Sequence, residues 1–83
     1  MAFPEWWEWE IELTPHVEKR MEDRGFTEVY LRQMLEHADG FRADVVADRF
    51  VIETLRARRW EVVVEPDEVA HLLVVVTAFG VET

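Results

Sequence analysis

The chain has 83 residues, with 18 acidic and 9 basic side chains and a formal net charge of -9. This length predicts one domain, 1–83, and the 49% hydrophobic share is typical of a globular chain rather than a disordered one. The absence of cysteine and serine excludes disulfide scaffolds, cysteine zinc sites, and cysteine and serine nucleophiles. The acidic balance repels nucleic acid and anionic membranes unless the basic side chains are gathered on one face.

Other absences narrow the function classes further. The three glycines are too scattered for a phosphate-binding loop, and no apolar run approaches the roughly 20 residues of a membrane span. The first 12 residues hold four glutamates and no lysine or arginine, the reverse of a signal peptide. Neither His37 with its acidic neighbours nor Asp44 with Asp48 has metal-ligand spacing. We therefore expect a cytoplasmic protein with no membrane contact, no metal and no cofactor.

The first third of the chain predicts a strand and a helix. Strict alternation from Trp7 to Leu13 indicates a half-buried strand whose outer face carries glutamates. Thr14 is a candidate N-cap, and Pro15 suits the first helical position. Gly25 is expected to end the helix. The first helix is therefore predicted from Pro15 to Arg24.

A second helix is predicted immediately afterwards. Thr27 can cap it, and Leu31, Met34, Leu35 and Ala38 follow at helical spacing as far as Gly40. The segment from Phe41 to Asp48 has no clear pattern and is interpreted as a loop.

The remainder of the chain predicts three strands. Alternating runs begin at Phe50 and Trp60, and Pro66-Asp67-Glu68 is predicted to form a turn. The continuous apolar run Leu72–Val76, extended to Phe79, favours a central strand covered on both faces. The predicted fold is α+β, in the order β-α-α-β-β-β, with two N-terminal helices packed on one face of a small antiparallel sheet.

One candidate site lies on the first helix. His16, Arg20 and Arg24 follow at four-residue spacing and form one stripe along it. Histidine can move a proton near neutral pH, and guanidinium groups bind phosphate oxygens, so the stripe is a candidate phosphate site. The structural alternative is a set of solvated ion pairs with Asp23 or with the glutamates of the first strand.

A second basic cluster lies at the turn between two predicted strands. Arg56 and Arg58 are expected to point one way and Arg59 the other. They are candidate RNA phosphate contacts if they meet the first cluster in space, and otherwise they protect a sheet edge from aggregation.

The tryptophans have two interpretations. Trp7, Trp9 and Trp60 suit core packing better than base stacking, because alternation places Trp7 and Trp9 on the core side of an otherwise acidic strand. Trp6 and Phe3 precede that strand, and they are candidate contacts for a partner or a second copy of the chain.

The two ends of the chain resemble a family of small bacterial proteins of unknown function. The resemblance rests on the Thr-Pro-His start and Arg-Gly end of the segment Leu13–Thr27, and on the last strand, Val74–Phe79. That family is similar to RelE-like and BrnT-like toxins, in the superfamily that also holds barnase-like and colicin-type ribonucleases.

The resemblance implies a RelE-like fold and a metal-independent endoribonuclease in a toxin-antitoxin pair. Carried over by position, His16 is the acid or base, Arg20 and Arg24 are phosphate ligands, and Thr77 is a hydroxyl lining the site. Thr77 is equally well interpreted as an ordinary β-branched strand residue. The net charge of -9 and the single lysine depart from such a toxin.

Two functional hypotheses follow. The first is a RelE-like endoribonuclease domain acting on RNA and held by a cognate antitoxin, and it requires the two basic clusters to converge. The second is a non-catalytic acidic module on the same scaffold that binds another protein or forms a homodimer. The sequence leaves open whether the domain is catalytic.

Overall fold

The computed structural model describes residues 4–56 and 58–81, and for Arg56 the backbone alone. This part of the chain is an α+β domain with two helices on one face of a five-stranded mixed sheet whose strand order is β1-β5-β4-β3-β2. A single turn of 3-10 helix, Glu5–Glu8, precedes the first strand. The elements are β1 (Glu10–Leu13), α1 (Pro15–Arg24), α2 (Glu28–Glu36), β2 (Ala38–Ala43), β3 (Phe50–Arg56), β4 (Arg58–Asp67) and β5 (Leu72–Gly80).

Helix α1 has the predicted bounds because local signals fix both of its ends. The Thr14 hydroxyl accepts a hydrogen bond from the Val17 amide at 3.1 Å, and Pro15 occupies the first turn. Gly25 ends the helix in the left-handed conformation, at φ 70°, which costs glycine little. The N-cap predicted for α2 is also confirmed, since the Thr27 hydroxyl accepts from the Tyr30 amide.

The Thr14 hydroxyl also ties α1 to the sheet. It lies 3.0 Å from the carbonyl oxygen of Val75, to which it donates, and 3.3 Å from that of Val76. Strand β1 stops at Leu13, opposite Val75, so this hydroxyl continues the contact with β5 where the strand pairing ends.

We expect Thr14→Ala to lower the free energy of unfolding by about 2 kcal/mol, because it removes an N-cap and a hydrogen bond to the sheet. Thr27→Ala is the matched control, since Thr27 caps α2 with no such bond, and it should cost about 1 kcal/mol. Urea unfolding of both variants measures the difference. Equal losses would show that the bond to β5 contributes nothing.

Three sequence predictions in the first half of the chain are wrong in their bounds. Helix α2 ends at Glu36 rather than Gly40, and the segment interpreted as a loop begins with an edge strand, β2. The hydroxyl of buried Thr54 donates to the His37 carbonyl at 3.2 Å, and Ala38 pairs with Thr54. These long-range contacts with β3 override the local helical spacing. The first strand begins at Glu10, because the chain from Glu5 to Glu8 coils into a 3-10 turn.

The sheet is mixed, so the prediction of an antiparallel sheet is wrong at one edge. Strand β1 runs parallel to β5, whereas the other pairs are antiparallel. Short connections force antiparallel neighbours, but nearly the whole domain separates β1 from β5 along the chain, and this long connection leaves the direction free.

Strand β5 lies second from an edge, and the central strand is β4. The prediction that β5 is covered on both faces is wrong, because the helices cover one face only. Leu73 and Val75 are buried beneath them, while Val74 is half-exposed on the outer face. Strand β4 also extends through Pro66 to Asp67, so the turn begins two residues later than predicted.

The core lies between the helices and the inner face of the sheet. Tryptophan 60 is buried there as predicted, and Trp7 and Trp9 pack against the same core. Trp6 is buried as well, with its ring centroid 5.1 Å from that of Phe50, so its predicted role as a free partner contact is wrong. The 3-10 turn carries Trp6 over the core, which strand alternation does not anticipate. Phe3 lies outside the described residues.

Candidate functional site

The predicted stripe on α1 is present on an exposed face of the helix. His16, Arg20 and Arg24 are all exposed, while Val17 and Met21, each one position further along, face the core. His16 and Arg20 are one turn apart, a rise of about 6 Å. These two side chains can therefore reach the same phosphodiester group.

The ion pairs offered as the structural alternative do not form among residues 4–56 and 58–81. Asp23, the expected partner of Arg20, instead lies 3.7 Å from the ammonium group of Lys19. No carboxylate in that part of the chain lies within ion-pair distance of Arg20 or Arg24. In a chain with twice as many acidic as basic residues, this leaves positive charge that a ligand can neutralise.

Arg24 is held in place by the sheet. Its Nη1 atom donates a hydrogen bond of 2.5 Å to the carbonyl oxygen of Ala78 in β5. This bond lies beyond the end of β1, where β5 has no strand partner on that side. The bond fixes the position of the guanidinium group and leaves its other N–H groups for a ligand.

Arg58 is held close to the same end of β5. Its guanidinium carbon lies 5.1 Å from the centroid of the Trp60 ring, a cation–π distance. Trp60 pairs with Gly80, and a Cβ atom at residue 80 would overlap the Arg58 guanidinium group. Glycine at position 80 thus allows the arginine to lie against the sheet.

A cleft of about 340 Å³ opens beside these two arginines, between the α1–α2 junction and β4. Arg24 is one of the residues that line the cleft. Arg58 lies over the ring of Trp60, which forms part of the cleft wall. Ala78 and Gly80, which the two guanidinium groups contact, are separated by about 7 Å along β5. We call this feature the Trp60 cleft; its lining residues are Arg24, Gly25, Phe26, Thr27, Tyr30 and Trp60.

The Trp60 cleft has an aromatic wall, and Trp60 itself carries a buried polar atom without a partner among the described residues. The ring centroids of Phe26 and Tyr30 lie 5.3 Å and 6.0 Å from that of Trp60, both in edge-on arrangements. Tyr30 is half-exposed, whereas Trp60 is only 7% exposed. The Trp60 Nε1 atom is buried with no hydrogen-bond acceptor among the described residues. A buried N–H group without a partner is uncommon and unfavourable.

The structure brings part of the predicted site together and separates the rest. Arg58 and Arg24 both lie beside Trp60, but Arg59 points to the outer face of the sheet, as strand alternation predicts. Arg56 is paired with Arg58 in the backbone register, and its side chain lies outside the described part of the molecule. Thr77 pairs with Val63 and precedes core residue Ala78, so its side chain lies on the face opposite α1.

Sequence reasoning missed Tyr30, Phe26 and Gly80 as parts of this site. The positions of Phe26 and Tyr30 in the cleft depend on the α1–α2 junction, which places the start of α2 beside Trp60 in β4. Gly80 matters only through its register with Trp60, and no local signal shows that register. The sequence signals for this part of the molecule were the arginines on α1 and the basic cluster that includes Arg58.

One other cleft carries less chemistry. A wider cleft of about 740 Å³ near the β2–β3 turn is lined by several carboxylates together with Arg49, which is paired with Glu65 at 3.1 Å. Among the described residues, no group of three or more side chains could hold a metal ion. Within the same residues, no helix is long and apolar enough to cross a bilayer.

Comparisons with protein-family models, with curated proteins and with solved structures found no significant match to this chain.

Proposed function

We propose that this chain is a RelE-like endoribonuclease domain of the toxin type, which cleaves RNA without a metal ion. The observation that carries the proposal is the set of arginines, without carboxylate partners among the described residues, that runs along α1 and ends at Arg58 beside the Trp60 cleft. The positive charge of this region contrasts with the net charge of -9 of the whole chain. Fixed guanidinium groups without carboxylate partners suit phosphate oxygens.

The mechanism uses two neighbouring side chains on α1. Neutral His16 takes the proton of a ribose 2′-hydroxyl, and the 2′-oxygen attacks the adjacent phosphorus. Arg20, one helical turn away, stabilises the negative charge that builds up on the phosphate oxygens. The bond to the 5′-oxygen breaks, that oxygen takes a proton from water, and protonated His16 returns its proton to the resulting hydroxide. The other product ends in a 2′,3′-cyclic phosphate. Arg24 lies about 12 Å from His16 along the helix and holds a neighbouring phosphate.

Thr77 has no part in this mechanism. Its position on the opposite face of the sheet from α1 favours its interpretation as an ordinary strand residue. Arg59 is left out for the same reason.

Because the chain has a net acidic charge, we expect it to attract RNA only at short range, close to the arginines. We expect a non-cleavable 2′-O-methyl oligonucleotide to bind with a modest salt dependence, because Arg20, Arg24 and Arg58 neutralise about three phosphates. For single strands this number of contacts gives a slope of log affinity against log salt of about -2. Fluorescence anisotropy over a range of salt concentrations measures it. A slope near zero would contradict phosphate binding.

The proposed chemistry is tested with a short RNA that carries one 2′-deoxy residue. In excess chelator, the protein should cleave the all-ribose strand to 2′,3′-cyclic phosphate ends and leave the bond after the 2′-deoxy residue intact. Cleavage after the 2′-deoxy residue, or 5′-phosphate products, would overturn attack by the 2′-hydroxyl. Mass spectrometry of the products distinguishes these outcomes.

A second candidate, a protein-binding module, is favoured by the outer face of the sheet. The helices lie on the other face, and on this face Arg42 bridges Glu53 and Glu61 at 3.1 Å and 3.4 Å. Leu55, which is 65% exposed, lies on the same face. Light scattering separates this candidate from the first: a dimer that Leu55→Lys dissociates supports it, and a monomer in both forms contradicts self-association.

A further inference from the structure

We infer that the Trp60 cleft binds one nucleoside monophosphate unit of an RNA chain, with the phosphate on Arg24 and Arg58 and the base against Tyr30. This inference rests on the proposed function, since it names the unit that the site holds beside the scissile bond. It extends that function to residues outside the α1 stripe, above all Arg58, Tyr30 and Trp60.

The two arginines carry the first part of the argument. Arg24 is fixed by its bond to the Ala78 carbonyl, and Arg58 by its position over Trp60 and Gly80. Neither has a carboxylate partner among residues 4–56 and 58–81, although both side chains are exposed. Because the sheet already holds both groups, binding a phosphate between them costs little side-chain entropy.

The wall of the cleft suits a base. Tyr30 is half-exposed, and its ring is held edge-on to the buried ring of Trp60. A half-exposed aromatic ring beside two guanidinium groups suits a flat base attached to a phosphate, because bases stack on aromatic rings and on guanidinium planes. Inorganic phosphate alone would leave this wall unused.

Trp60 supplies the third part. Its Nε1 atom is the buried side-chain polar atom without a partner in the described part of the chain, and its residue lines the cleft. A small shift of the ring on binding would give this N–H an acceptor on the nucleotide. The cleft volume of about 340 Å³ lies at the lower end of the range for small-molecule sites, which fits one nucleotide unit rather than two.

The test is an NMR titration of the full-length ¹⁵N-labelled protein at low salt with adenosine 5′-monophosphate. The indole N–H signal of Trp60, assigned from the spectrum of Trp60→Phe, should shift and saturate. Arg58→Gln should weaken binding about tenfold, since it removes a charge-assisted contact. Arg59→Gln is the matched control, because it makes the same change one residue away on the opposite face, and it should bind within about twofold of the wild type.

Gly80→Ala provides an independent variant that keeps Arg58 in the sequence. The added Cβ displaces only the flexible end of that arginine, so the fold should persist while binding weakens about as much as in Arg58→Gln. Absence of a saturable Trp60 shift at millimolar nucleotide, or equal weakening by Arg58→Gln and Arg59→Gln, would overturn the inference.

Further ligands separate the parts of the proposed ligand. Adenosine and inorganic phosphate should each bind at least about tenfold more weakly than the nucleotide, and a 2′-O-methyl trinucleotide should bind more tightly than the nucleotide. Equal binding of inorganic phosphate would overturn the role of the base, and failure of the trinucleotide to bind would overturn the RNA chain as the source.

Nucleotide binding is measured without cleavage, so the two proposals can fail separately. A protein that binds the nucleotide at Trp60 but leaves RNA intact overturns the proposed nuclease and retains the binding site. A protein that cleaves RNA without a saturable Trp60 shift overturns the nucleotide-binding site and retains the proposed nuclease.

Discussion

Replacing His16 with alanine is expected to lower the rate of RNA cleavage by about two to four orders of magnitude, the usual contribution of a general base. The substitution removes the group that accepts the 2′-hydroxyl proton. It should change the free energy of unfolding by no more than about 0.5 kcal/mol, because His16 is exposed and has no partner in the described part of the structure. Single-turnover cleavage of a fluorescent oligonucleotide, with circular dichroism of the same samples, measures both quantities.

His37→Ala is the matched control for this experiment. His37 is also an exposed histidine, but it lies at the C-cap of α2 and the proposed mechanism does not use it. Its rate should stay within about twofold of the wild type. Equal losses in the two variants, or no loss in His16→Ala, would contradict the assignment of His16.

The largest expected loss of stability comes from Leu31→Ala in α2. Leu31 is fully buried in the core, and truncating such a side chain costs about 2–5 kcal/mol through lost burial and the cavity left behind. A small domain has a total stability of only about 5–15 kcal/mol, so this is a large fraction of it. Urea unfolding followed by tryptophan fluorescence measures the loss.

Val29→Ala, in the same helix, is the control for Leu31→Ala. Val29 is 65% exposed, and its truncation should change stability by no more than about 0.5 kcal/mol. A comparable loss in both variants would mean that α2 does not pack on the sheet by its Leu31 face. Because α2 also carries Tyr30, this packing positions one wall of the Trp60 cleft.

Both ends of α1 were predictable from the sequence because they depend on neighbouring residues. Thr14, Pro15 and Gly25 determine the ends of α1 through caps and a left-handed stop, and no distant contact is needed. Strand β2 was missed because Ala38 continues the helical spacing of α2. Ala38 belongs to a strand because it pairs with β3, which follows after a turn. The parallel direction of β1 was missed because no short connection constrains it.

The candidate site was predictable only where a single helix carries it. The spacing of His16, Arg20 and Arg24 is a local property, and the structure places all three on an exposed face. Arg58 lies at the same end of β5 as Arg24 because of the register of β4 on β5 and the space left at Gly80, which depend on residues distant in sequence. Thr77 was assigned by resemblance, and its neighbour Ala78 in the core places it on the other face of the sheet.

The most direct test of the account is cleavage of cellular RNA, both free and ribosome-bound, in excess chelator. The wild type is compared with a His16→Ala, Arg20→Ala double variant whose folding is checked by circular dichroism. A ribonuclease site on α1 predicts cleavage by the wild type and none by the folded double variant. Equal cleavage by the two proteins, or no cleavage of either RNA by the wild type, would contradict a ribonuclease site on α1.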